Sequence, residues 1–191
     1  MLHRAILTLC LLIPMSSVAE IERIAVVNQG GTRVMWWPKV TPPQGWHQDK
    51  GASQANGFNV LVPDGANFNN AETVMYARAN YKPRDPGVRS VQELIDRDQA
   101  QFRKSSPEMD IKESKAVTIA DGTAMRSFTY APGKSGKGNW ECVAYGEDGD
   151  YYLTFVVSSR SQKGFDAARS AYAAAIASYT RDPPAAVPAP N

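Results

Sequence analysis

Residues 141–159 read ECVAYGEDGDYYLTFVVSS, and this stretch decides the fold. Two sets of side chains alternate over the segment WECVAY at 140–145, a period of two that is typical of a β-strand. The dipeptide Asp148-Gly149 then predicts a tight turn. The run that follows, 151–157, is the most hydrophobic strand segment of the chain. We therefore expect it at the centre of an antiparallel sheet.

Further strand segments lie upstream of this hairpin. The phrase GFNVLVPDG at 57–65 is a strand that ends in turn residues, and TVMYARANYK at 73–82 is a second strand. The pair Asp121-Gly122, flanked by two apolar runs, predicts a hairpin. Together these segments predict a meander of antiparallel strands.

Two segments have helical spacing instead. Ser90 and Glu93 form the sequence signature of a capping box ahead of a helix over 91–104. An alanine-rich helix is predicted over 165–179, and its small side chains allow it to lie close against a sheet. The sequence thus predicts an α+β fold, with an antiparallel β-sheet flanked by two main helices.

The order of these elements resembles the PsbP-like α/β/α sandwich. The resemblance rests on GFNVLVPDG, on ECVAYGEDGDYYLTFVVSS and on the final helix, and it covers residues 57–179. Extrinsic photosystem proteins, the DcrB-like group of bacterial envelope proteins and Ran-binding nuclear-import factors share this fold. The chain is also similar to small exported bacterial proteins of unassigned activity. The resemblance implies an assembly factor, adaptor or binding module, and it carries over no functional residue.

The first nineteen residues, MLHRAILTLCLLIPMSSVA, predict a cleavable export signal. His3 and Arg4 precede a short apolar run, and Ser17 with Ala19 has the spacing of a signal peptidase site. The apolar run is about half of the roughly 20 residues that a membrane-spanning helix needs. We expect a periplasmic or secreted protein with no membrane span.

The chain that follows the predicted signal at residues 1–19 divides into three parts. Residues 20–56 are predicted to form an N-terminal strand and a Trp- and Pro-rich loop, which pack on a PsbP-like domain at 57–181. The loop is expected over 39–57, because its prolines interrupt strand pairing. Residues 182–191 contain four prolines and predict a disordered tail.

The composition argues against several kinds of partner and site. The formal net charge is +2 over 191 residues, with both signs mixed along the chain, which provides no field to gather nucleic acid. Cys142 is the only cysteine outside the predicted signal, so we expect no internal disulfide. Zinc would need three or four Cys, His or carboxylate ligands held close together, and the chain after the predicted signal has one His and one Cys. No cofactor is predicted.

The aromatic stretch MWWPKVTPPQGWH at 35–47 is the main candidate binding segment. On a strand, Trp36 and Trp37 face opposite sides, so both cannot enter the same core. Exposed rings there, with Trp46 and His47 nearby, could stack on a sugar, a peptidoglycan fragment, a Pro-rich peptide or a partner protein. The alternative interpretation is that the segment folds back and buries these rings as a cap on the sheet.

Catalytic and metal interpretations are weaker. Cys142 could act as a nucleophile with His47 as its base, but its position in mid-strand favours a buried structural cysteine. Two turns rich in acidic and amide groups, at 147–150 and 64–72, contain ligands that calcium prefers. The same residues are typical of solvated turns, which is the preferred interpretation.

Three classes of function follow. The leading hypothesis is an exported, non-enzymatic envelope protein that binds a partner or assists assembly through an exposed aromatic patch, with immunity to an exported toxin as a variant. The second is a small-ligand binder with a closed pocket between sheet and helix, lined by residues such as Trp36, Tyr76 and Tyr152. The third is an enzyme that uses Cys142 and His47.

Overall fold

The computed structural model describes residues 21–28, 31–134, 136 and 138–181. The predicted export signal at 1–19 and the predicted tail at 182–191 lie outside the described residues. Within them, no helix combines the length and the apolar character that crossing a bilayer demands.

The described part of the chain forms nine strands and three α-helices. The strands are β1 (Ile21–Asn28), β2 (Gly31–Pro38), β3 (Trp46–Gln48), β4 (Asn59–Pro63), β5 (Thr73–Tyr81), β6 (Asp110–Thr118), β7 (Ala124–Ala131), β8 (Trp140–Asp148) and β9 (Tyr151–Ser159). The α-helices are α1 (Lys50–Asn56), α2 (Val91–Ser105) and α3 (Gln162–Ala177). A short 3-10 turn, Lys82–Arg84, follows β5.

Seven strands form one antiparallel sheet in the order β3-β4-β5-β9-β8-β7-β6. Strand β9 is the middle strand, as its hydrophobicity predicts, and eight of its nine residues are buried. The β8–β9 hairpin turns at the predicted Asp148-Gly149 pair, with Asp148 opposite Tyr151. The predicted α+β fold is confirmed.

A helix covers each face of the sheet. Alternate side chains of β9, including Phe155 and Val157, pack with Tyr172 and Ile176 of α3. The other set, including Val156, packs with the α2 side of the core. The period of two therefore divides each central strand between two cores.

The helix ends follow the predicted signals. The Ser90 hydroxyl accepts a hydrogen bond from the Glu93 amide at 3.1 Å and begins α2. The Glu93 carboxylate accepts a hydrogen bond at 2.7 Å from the amide of Arg89, which is the residue before the cap. The C-terminal helix begins at 162 rather than 165, because the Ser161 hydroxyl accepts from the Gly164 amide.

The predicted loop over 39–57 is wrong in part. It contains the edge strand β3 and the helix α1. The Asp49 carboxylate accepts a hydrogen bond from the Ala52 amide at 2.9 Å, which caps α1. Gly57 then ends the helix with a φ of 78°, in the left-handed region that favours glycine. Within the described residues, strands β1 and β2 pair only with each other, as a separate hairpin sheet.

Candidate functional site

The first two predicted binding residues lie on opposite sides of β2, as expected of neighbours on a strand. Trp37 is 1% exposed, and its indole Nε1 donates a hydrogen bond to Glu22 at 3.0 Å. Trp36 is half-buried, with ring centroids 5.5 Å from Tyr81 and 6.2 Å from Tyr151. Trp37 is therefore structural, whereas Trp36 belongs to a partly accessible aromatic cluster.

This aromatic cluster, Trp36, Tyr81 and Tyr151, lies where β5 ends and β9 begins. The Arg84 guanidinium is 4.4 Å from the centroid of the Trp36 ring, within the range of a cation–π contact. The cluster and Arg84 line a surface hollow of about 510 Å³. Here the predicted aromatic segment meets open space beside other rings.

The other two predicted residues lie elsewhere. Trp46 is partly buried, and His47 is exposed with its Nδ1 3.3 Å from a carboxylate oxygen of Asp64. Trp46 pairs with residue 63 on β4, and the β4–β5 register places that position beside the start of β5. The Trp36 cluster lies at the other end of β5, roughly 26 Å away along the strand. The four residues do not form one site.

The structure also separates Cys142 from His47. Cys142 is fully buried on β8, where its Sγ lies 3.1 Å from the Ser127 hydroxyl. His47 is on β3, four strand positions away in the sheet order, which is roughly 19 Å at ordinary strand spacing. The pair cannot exchange a proton directly, so the cysteine-enzyme arrangement is not formed.

The two turns that contain possible calcium ligands use these groups within the protein. Glu147 pairs with Lys82 at 2.8 Å, and Asp148 accepts a hydrogen bond from the Tyr179 hydroxyl at 2.7 Å. In the other turn, Asn67 Oδ1 accepts hydrogen bonds from the amides two and three residues further on. Within the described residues, no group of three or more His, Cys, Asp or Glu is arranged to hold a metal ion.

A cleft of about 520 Å³ lies between α2 and the sheet. We call it the α2 cleft. Its volume is within the range of small-molecule sites, roughly 300–1,000 Å³. Its apolar side chains are Tyr76, Phe102, Met109, Val143 and Val156. Its polar side chains are Arg78, Asn80, Arg97, Asp98, Gln101, Ser105, Ser106, Asn139, Glu141 and Thr154.

The small-ligand hypothesis predicted a closed pocket between sheet and helix, and the structure places its three named residues in different surroundings. Of the three residues named for it, Tyr76 lines the α2 cleft. Tyr152 is buried in the core, and its hydroxyl donates to the Val88 carbonyl at 3.3 Å. Trp36 lines the separate hollow described above. The lining residues of α2 and β8 were missed as site residues.

Glu141 is the most unusual group of the cleft. It lies on the same face of β8 as Val143, which packs on the α2 side of the core. Its Oε1 atom accepts a hydrogen bond from the Ser158 hydroxyl at 2.7 Å. Its Oε2 atom is buried and, among the buried side-chain nitrogen and oxygen atoms of the described residues, is the one without a hydrogen-bond partner. Desolvation raises the pKa of the Glu141 carboxyl.

A second carboxyl faces the cleft from the helix. Burial raises the pKa of Asp98, and the positive charges of Arg97 and Arg78 oppose that shift. Asp98 interacts with the Tyr145 hydroxyl, which is 2.8 Å from the hydroxyl of Tyr130. Burial also raises the pKa of Tyr130 to about 12. These phenols therefore remain protonated hydrogen-bond donors at neutral pH.

One sequence signal could have identified Glu141. The residue shares the alternating face of β8 with Val143 and Tyr145, both of which are buried. A carboxyl next to buried side chains on one face of an inner strand needs a partner. The position of α2, which leaves space above this residue instead of filling it, could not be read from the sequence.

Comparisons with known proteins report a similarity of fold. No family model matches this sequence, and no curated protein matches it. The structure is similar to the solution structure of cyanobacterial PsbP (CyanoP) from Synechocystis sp. PCC 6803, with a TM-score of 0.45 and 14% sequence identity. The match covers 89% of this chain and 97% of that chain. The match transfers no ligand, partner or residue role to this chain.

Proposed function

We propose that this protein is an exported, non-enzymatic binding protein that holds a small molecule in the α2 cleft. The observation that carries the proposal is Glu141, a residue that lines the cleft and whose Oε2 atom is a buried acceptor without a hydrogen-bond partner. Leaving such an acceptor unpaired costs about 1–3 kcal/mol. A ligand that donates a hydrogen bond to it removes that cost.

The remaining lining supports the same role. Small-molecule sites combine apolar walls with a few polar groups that fix the orientation of the ligand. Tyr76 and Phe102 supply aromatic surface, while Gln101 and Asn139 supply amide groups at the same cleft. The separation of the thiol from the histidine argues against one enzymatic alternative, since a cysteine nucleophile needs a base within hydrogen-bond reach.

The first test is to purify the protein from its own cell envelope and to identify bound small molecules by native mass spectrometry. We expect a stoichiometric ligand and a chain that begins near residue 20. In Gln101→Trp, an indole at an exposed lining position of α2 blocks the cleft. We expect this variant to lose the ligand without a loss of stability.

Ala100→Trp is the matched control, because it adds the same indole to an exposed position of α2 that does not line the cleft. It should retain the ligand. Equal ligand content in both variants would contradict the proposed site. Conversion of the ligand into a new compound by the purified protein would overturn the non-enzymatic assignment.

A partner-binding or assembly role is the second candidate, and the aromatic cluster of Trp36, Tyr81 and Tyr151 favours it. The cluster is partly accessible, and Arg84 lies over its indole. Aromatic and arginine side chains are the residues that most often dominate the energy of a protein interface.

The test is crosslinking in the native envelope with wild type, Trp36→Ala and Trp46→Ala. Trp46 serves as the control, because it is a partly buried tryptophan at the other end of β5. Loss of one defined crosslinked species in Trp36→Ala alone would support the role. Retention of that species in Trp36→Ala would reject this surface.

A further inference from the structure

We infer that the ligand of the α2 cleft is an amine, and that its ammonium group donates a hydrogen bond to Glu141 Oε2. This inference rests on the proposed function and specifies the chemical class of the ligand. The amine nitrogen takes the position of the missing donor, and the rest of the ligand lies against the aromatic side chains of the cleft.

The orientation of the Glu141 carboxyl is fixed before any ligand arrives. Asn139 Nδ2 donates a hydrogen bond to the Ser158 hydroxyl at 2.9 Å, and that hydroxyl donates to Glu141 Oε1 at 2.7 Å. Because the only hydroxyl hydrogen of Ser158 is used in this way, Oε1 is an acceptor. The chain of hydrogen bonds holds one oxygen of the carboxyl and leaves the other for a ligand.

The charges around the cleft favour a cationic donor over a neutral one. The Arg97 guanidinium is paired with Asp85 at 2.5 Å, and the Arg78 guanidinium lies 5.4 Å from the centroid of the Phe58 ring. Glu141 and Asp98 form no salt bridge within the described residues. Asp98 lies close enough to Arg97 and Arg78 for their charges to lower its pKa, whereas no cation acts in this way on Glu141. Glu141 is therefore the carboxyl of the cleft whose charge is left for a ligand to compensate.

The desolvation of Glu141 and the aromatic surface of the cleft also favour a cationic ligand. Burial raises the pKa of Glu141, which means that its charged form lacks stabilisation. A hydrogen bond from an ammonium group to a carboxylate is about twice as strong as a neutral one. The rings of Tyr76 and Phe102 line the same cleft, and aromatic rings attract cations. A neutral alcohol would fill the donor position but would leave the charge uncompensated.

Three probes of nearly equal size test the inference. Benzylamine carries an ammonium group, benzyl alcohol a neutral hydroxyl and benzoate a negative charge, all on the same ring. Titration of the full mature protein by amide NMR measures the affinity and locates the site. We expect benzylamine to shift the amide signals of residues that line the cleft. Its affinity should be about tenfold or more higher than that of benzyl alcohol. Benzoate should not bind.

Glu141→Gln is expected to weaken benzylamine about tenfold or more and to leave benzyl alcohol nearly unchanged. Glu147→Gln is the matched control, since it removes the same charge from an exposed position of the same strand. It should not change either affinity. Equal effects of the two variants would mean that only long-range charge is involved, which would overturn the inference.

Other outcomes separate this inference from the proposed function. If benzyl alcohol or benzoate binds in the cleft as tightly as benzylamine, the amine class is wrong while the cleft remains a binding site. If benzylamine does not shift the cleft signals at millimolar concentration, the amine inference is also overturned. The proposed function fails independently, if blocking the cleft with Gln101→Trp does not change the content of the native ligand.

Discussion

Glu141→Gln tests the physical basis of the candidate site through stability alone. The carboxamide has nearly the shape of the carboxyl, and its carbonyl oxygen can accept the Ser158 hydrogen bond that Oε1 accepts at 2.7 Å. The change removes a negative charge from a desolvated position and keeps the packing. We therefore expect the variant to be more stable than the wild type at neutral pH, although most substitutions of lining residues destabilise a protein.

The magnitude follows from the unpaired oxygen. A buried acceptor without a partner costs about 1–3 kcal/mol, and more when it is charged. The carboxamide leaves its NH2 group in the same place, so only part of this cost is recovered, about 1 kcal/mol. For a chain of this length, that gain raises Tm by about 2–4 °C. Glu147→Gln, at an exposed ion pair with Lys82, should lower stability by less than about 1 kcal/mol.

The pH dependence has a defined sign. Desolvation raises the pKa of Glu141 in the folded protein above its value of 4.5 in the unfolded chain. The folded state therefore binds this proton more tightly, and the cost of the buried charge is present in full above the folded pKa. As the pH falls through the folded pKa, the wild type regains that stability. The Tm advantage of Glu141→Gln should shrink accordingly.

Thermal unfolding followed by circular dichroism measures this difference, from neutral pH down to about pH 4, which is close to the pKa of an ordinary glutamate. Subtracting the Tm of the variant from the Tm of the wild type at each pH removes the contribution of Asp98, which titrates in both proteins. A Tm that is lower in Glu141→Gln at neutral pH would refute the reasoning. So would a Tm difference that stays constant over the pH range.

Three further predictions concern the rest of the fold. Trp37→Ala should lower the free energy of unfolding by about 3–5 kcal/mol, because the ring is buried and hydrogen-bonded. Urea denaturation measures this loss, and a loss no larger than that of Trp36→Ala would contradict the prediction. Ser90→Ala should cost about 1 kcal/mol through loss of the α2 cap, and Ser90→Thr should restore most of it in the same assay. Cys142 is fully buried, so a thiol reagent should modify it only in denaturant; reaction in the native protein at the rate of a free thiol would show that β8 opens.

Much of the fold could be predicted because its signals are local. The period of two in β8 and β9, the Asp148-Gly149 turn and the Ser90 cap each depend on a few adjacent residues. The failure at residues 39–57 has a local reason as well. Prolines indicate where strand pairing is interrupted, but β3 and α1 begin after them, and Asp49 was not recognised as a helix cap.

The candidate site was less predictable. The sequence placed Glu141 on one face of a strand, and it grouped Trp36 with Trp46 because they are close in the chain. The strand register separates those two tryptophans by the length of β5. Whether a side chain on a strand face meets a helix, another ring or open space depends on elements far away in sequence.

The sequence by itself determined most of the helices and strands after residue 57 and the central position of β9, because side-chain periodicity and turn chemistry act over short distances. The tertiary structure alone decided which strands are neighbours, that α2 leaves a cleft above β8, and that Glu141 Oε2 is buried there without a partner. The physical reason is that burial and desolvation are properties of the packed chain. A carboxyl becomes costly, and useful for binding, only when distant segments remove water from it.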